Sequence, residues 1–94
     1  MQTKLISIPK LGESTSLSIN FATSAAGSIR VELLDKSGVP IPGFAAADCN
    51  EIIGDRIDRL VTWRGDSNLS SLGGRAVRLR FLMKDADLYS LQFK

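Results

Sequence analysis

Ninety-four residues make one small domain, spanning 1–94, with room for a single core and little depth for a buried active site. Twelve basic and ten acidic residues are interleaved to a net charge of +2, which excludes the polybasic stripe of a nucleic-acid binder, and no apolar run approaches the length of a membrane span. The single cysteine, Cys49, excludes an internal disulfide and a thiolate metal cluster.

The opening MQTKLISIPKLGE lacks the apolar run of a signal peptide; if the chain is a piece of a longer, secreted parent, the signal lies elsewhere in that parent. Thr3 to Ile8 alternate loosely and stop at Pro9, which has no N–H to give a ladder, so this first strand belongs at an edge. Lys10 to Glu13 reads as a turn. Leu17, Ile19 and Phe21 alternate with Ser16, Ser18 and Asn20 as a half-buried strand, and TSAAG, ending in Gly27, has the composition of a tight connection between closely approaching backbones. Ile29, Val31 and Leu33 form a third strand, closed by the turn residues Asp35 to Gly38.

Pro40 and Pro42 then remove two donors, making VPIPGF an extended loop that Phe44 pins to the core. Within Ala45 to Gly54, Asp48 is placed to cap one or two helical turns, with Glu51 three residues on and Gly54 as terminator. Ile57 to Arg64 is β-branched and aromatic and reads as a strand. Ser67 or Asn68 can cap a single turn that points Leu69 and Leu72 inward. Last come Val77, Leu79, Phe81 and Met83, alternating with Arg78, Arg80, Leu82 and Lys84. After the polar KDAD turn, Tyr89, Leu91 and Phe93 share a face, so the pair reads as a closing antiparallel hairpin.

Six or seven short strands with turn clusters between them predict an all-β, antiparallel β-sandwich of the jelly-roll kind, concanavalin-like or galactose-binding-like, with at most one or two short helical turns. Catalysis fares badly. Without histidine there is no Ser/His or Cys/His nucleophile pair, and Asp48, Glu51, Asp55, Asp58, Asp85 and Asp87 are more readily turn formers than a catalytic carboxylate pair, so no enzyme is expected. Hard oxygen ligands gathered on one loop, namely Asp48, Asn50, Glu51 and Asp55, make a structural calcium ion the one cofactor to consider, although they lack EF-hand spacing.

Sugar binding needs an exposed aromatic face with polar groups around it. Trp63 and Tyr89 are the platforms, with Arg64, Asp66, Asn68, Arg78 and Arg80 as hydrogen-bonding neighbours. Against this, a small sandwich needs a large core filler, a role that suits Trp63, and Tyr89 shares its face with Leu91 and Phe93, which argues inward. Arginine rows on strands are more often solvated ion pairs, and Cys49 reads as a buried small hydrophobe.

Taken together, GSIRVELLD, PIPGF, DC, IIGD, the Trp63–Arg64–Gly65 turn and LRFLMKDADLYSLQF resemble the C-terminal β-sandwich accessory module of bacterial glycoside hydrolases of the propeller, β-fructosidase-like type. The resemblance covers about Ser18 to Phe93. It implies a non-catalytic carbohydrate-binding module that tethers a polysaccharide or oligosaccharide near a glycoside hydrolase catalytic domain, with no nucleic-acid or membrane partner. It carries over no sugar-binding residue. The alternative is a structural domain that packs on a neighbouring catalytic domain or on itself and binds no sugar.

Overall fold

The computed structural model describes residues 5–8 and 15–93, the side chains of residues 55–57 excepted. Among these residues four strands, β1 (Ile6–Ser7), β2 (Leu17–Leu34), β3 (Asp55–Leu60) and β4 (Ala76–Phe93), form one antiparallel sheet in the order β1-β4-β2-β3, curled into a half-barrel. The all-β expectation is met, with two 18-residue strands that pair along nearly their whole length. Thr3, Lys4, Pro9 and the Lys10–Glu13 turn lie outside the described residues, and the remainder of the first strand does sit at the sheet edge.

The KDAD turn does not exist. Val77–Met83 and Leu88–Phe93 belong to the same strand, and each pairs with β2 rather than with the other. The chain bends here without reversing. Between the pairs Thr23↔Ala86 and Ser28↔Lys84, four residues of β2 face the single residue Asp85 of β4. Asp85 takes a left-handed φ of 45°, and the extra length on one strand drives the bend that a bulge produces. Gly27 makes that corner possible: a Cβ there would overlap the carbonyl oxygen of Asp85 and come within 2.6 Å of that of Lys84. The small residues TSAAG thus do bring two backbones close, inside one strand instead of between two.

The bend folds both halves of the ribbon over one core. Leu17, Ile19 and Phe21 from one half meet Ile29, Val31 and Leu33 from the other, joined by Val77, Leu79 and Phe81 of β4. These are the positions that period-two alternation assigns to the inner face. Loops close the remaining sides. The Asp35 carboxylate accepts the N–H groups of Ser37 and Val39 to set the Gly38 turn; Ile41 and Ile52 are buried and bonded back to β2, and Phe44 packs on the core. The helical expectation for Ala45–Gly54 reduces to one turn over Ala45–Cys49, lying before Asp48 instead of after it. Ser70–Leu72 forms the expected single 3₁₀ turn, with Leu69 and Leu72 buried.

Candidate functional site

Trp63 lies at the end of the chain segment leaving β3, where it bridges to Cys49 on one side and Asp66 on the other. Arg64 and Gly65 both have positive φ, 53° and 81°, the backbone signature of a tight two-residue turn between antiparallel arms. This turn aims the indole inward. Trp63 is 2% exposed, its Nε1–H donates to the Val31 carbonyl at 2.9 Å, and the Phe44 ring meets it edge-on at 5.5 Å. As a platform for a sugar ring it has no free face; it is the large core filler.

The turn's polar groups hold each other. Arg64 directs Nε and a terminal guanidinium nitrogen onto Asp48 Oδ1, each at 2.7 Å, while its N–H donates to the Asp48 carbonyl. Asn50 Oδ1 accepts from Thr62 Oγ1 at 2.8 Å and from the Gly65 N–H at 2.7 Å. Asp66 accepts the Asn68 N–H, and Asn68 accepts the Ser70 N–H, two consecutive side-chain turns that lead into the 3₁₀ turn. Arg64, Asp66 and Asn68 therefore do gather beside Trp63, as turn builders.

The calcium set divides. Asp48 faces the Arg64 guanidinium, Asn50 faces two donors, and Glu51 pairs with Arg30 at 3.7 Å; the Asp55 side chain is outside the described residues. Among the described residues no group of three or more carboxylates, cysteines or histidines could hold a metal.

Arg78 and Arg80 lie on the outer face of β4, opposite Leu34 and Glu32. Arg80 approaches the Glu32 carboxylate at 3.8 Å, and the other Glu32 oxygen accepts the Ala46 N–H at 3.0 Å, which ties the loop to the sheet. Tyr89 lies beyond the bend and contradicts the inward expectation. It is 67% exposed, because Asn20 pairs with Ser90 and Phe21 with Leu88, leaving Tyr89 as the extra residue of a bulge. The bulge shifts the alternation by one residue, so Leu88 joins Leu91 and Phe93 on the inner side and Tyr89 is turned out.

A shallow cavity of about 380 Å³, lined by Asp35, Lys36, Ser37, Arg75 and Ala76, includes none of the candidate residues. Cys49 is buried, as expected. Burial pushes its thiol pKa above the ordinary 9.0, opposed by the Val31 N–H, which donates to Sγ at 3.3 Å, and by the positive charge of Arg30. A thiol held protonated by folding contributes stability in full below pH 9.0, and that contribution falls as pH rises beyond it. The urea midpoint should therefore drop more steeply above pH 9.0 in the native chain than in Cys49→Ala, and native Cys49 should resist thiol reagents until the chain unfolds. Equal slopes would show that burial does not govern the titration.

The feature that the sequence reading missed is an open sheet edge. Among the described residues β1 pairs with β4 at Ala76 and Val77, and from Leu82 to Phe93 no described residue pairs with β4 on the side away from β2. Beside that edge, on the inner face, Ala86, Leu88, Leu91 and Phe93 are only half-buried. The one-residue slip in the spacing of these apolar positions was the available signal.

Comparison with protein-family models, curated proteins and solved structures gave no match, and nothing in them identifies the chain as a glycoside hydrolase accessory module.

Proposed function

We propose that the chain is a non-catalytic module that makes protein contacts through its curved sheet and binds no sugar by itself. The observation that carries this reading is the burial of Trp63, which removes the strongest stacking platform and leaves its polar neighbours occupied in turns. A half-covered apolar strip beside strand backbone that no described residue pairs supports it further, since such edges recruit other chains. The test is depletion of the folded domain by a panel of soluble and insoluble polysaccharides, with and without a calcium chelator. No glycan should retain it; selective retention by one class would overturn the reading.

Tyr89 favours a second reading. Among the described residues it is the one aromatic side chain that is exposed, and an outward ring on a strand can stack on a sugar face. The chain would then be a carbohydrate-binding accessory module, raising the local concentration of polysaccharide near a glycoside hydrolase domain. A two-layer jelly roll belongs to this reading, supported by the all-β order and by the single core that both halves of the ribbon share. Loss of glycan retention in Tyr89→Ala would mark that site.

A further inference from the structure

The open edge of β4 restricts what can cover it. An added strand must offer backbone groups to Leu82–Phe93, and it must set apolar side chains beside Ala86, Leu88, Leu91 and Phe93. It must also meet an outer face made of Asp85, Asp87, Tyr89, Ser90 and Gln92, all exposed. β4 itself meets these conditions when a second copy is turned about a two-fold axis normal to the sheet and passing between Tyr89 and Ser90.

In that register Leu88 falls opposite Leu91, and the small Ala86 opposite the large Phe93, each contact occurring twice. On the outer face Asp87 falls opposite Gln92. Opposed residues in an antiparallel pair must share a face, so an unbroken strand could not place position 89 against position 90. The bulge makes it possible, because it puts Tyr89 and Ser90 on the same side. Shifted registers fail. Pairing Leu91 with Ala86 sets Leu88 against Tyr89; pairing Leu88 with Phe93 sets Ser90 against Leu91; an axis through Asp87 sets that carboxylate on its own copy.

We propose that the chain forms a two-fold homodimer by antiparallel pairing of β4 edges, with Leu88 opposite Leu91 and Asp87 opposite Gln92 across the axis. This rests on the protein-contact reading and names its partner as a second copy of this chain. Charges and bulges on an edge usually block pairing. Here the bulge meets its own copy, and Asp87 meets a neutral amide. The two curved sheets join with their apolar faces on the same side, so the half-covered strips become continuous.

Sedimentation velocity across the micromolar to near-millimolar range should show conversion from the 10.2 kDa chain to twice that mass. Register is read by mixing Asp87→Cys protein with Gln92→Cys protein under mild oxidation. Both sites are exposed, so folding is preserved, and the mixture should give a disulfide-linked dimer where neither variant alone does. Tyr89→Glu, also at an exposed site, places two like charges at the axis and should weaken association by roughly tenfold or more. A monomer at every concentration, open-ended oligomers, cross-linking of Asp87→Cys with itself, or unchanged association of Tyr89→Glu would each overturn the proposal. None of those results touches the glycan-depletion result, so failure of the dimer and failure of the protein-contact reading are told apart.

Discussion

Gly27→Ala should destabilise the fold by about 2–4 kcal/mol and lower Tm by roughly 10–25 °C, read by urea and thermal denaturation. The cause is contact and not backbone preference. A methyl group at residue 27 meets the Lys84 and Asp85 carbonyl oxygens, and these belong to the corner where the two long strands touch. Backbone atoms in a paired strand cannot swing aside as the tip of a side chain can, so relief requires opening the bend itself. Opening it would separate Phe21 and Ile29, whose burial in one core depends on the two halves staying folded over each other. A variant within about 0.5 kcal/mol of the native chain, the usual spread of surface substitutions, would show that the corner relaxes easily.

Trp63→Ala should be of similar or larger effect, about 3–5 kcal/mol, the range for deleting a large buried aromatic. For a small domain that approaches the whole stability, so the variant should be partly unfolded at room temperature by far-UV circular dichroism. Trp63→Phe separates packing from hydrogen bonding. It retains a ring against Phe44 but withdraws the Nε1–H from the Val31 carbonyl, with an expected loss of about 1–3 kcal/mol. Near-native stability of Trp63→Ala would restore the indole as a surface group and with it the sugar-stacking reading.

Inner-face residues were legible in the sequence wherever alternation ran unbroken. Leu17, Ile19 and Phe21, then Ile29, Val31 and Leu33, then Val77, Leu79 and Phe81, are all buried where period two puts them, and Met83, the last of that row, is exposed where the strand approaches the bend. Alternation failed at two irregularities in β4. KDAD has the composition of a reversal, but a polar segment with one left-handed residue serves equally for a corner, and local composition does not say whether the chain turns back. At Tyr89 a single extra residue moved the apolar positions from even numbers, Ala86 and Leu88, to odd ones, Leu91 and Phe93, so counting back by twos from Phe93 put Tyr89 on the wrong face.

The candidate site was legible as a set of residue types and illegible as an arrangement. Arg64 and Asp48 meet across sixteen positions, and Glu32 joins both Arg80 and Ala46. Pairings of that kind follow from which strands become neighbours, which is also what leaves the β4 edge open. No local pattern encodes strand order.

The long ribbon also has a consequence for how the chain comes to be folded. β2 meets its main partner late: β3 pairs with it only from Ser18 to Ala22, whereas the innermost β2–β4 pair joins Leu34 to Arg78 and the outermost joins Leu17 to Phe93, so residues 35–77 must be gathered into a loop before the first of the β2–β4 pairs forms. Closing such a loop costs entropy before any contact returns it, which places the chain among slow, non-local folders. On a ribosome, β2 would emerge early, meet β3 along Ser18–Ala22, and leave its long β4-facing edge unpaired until β4 had been made.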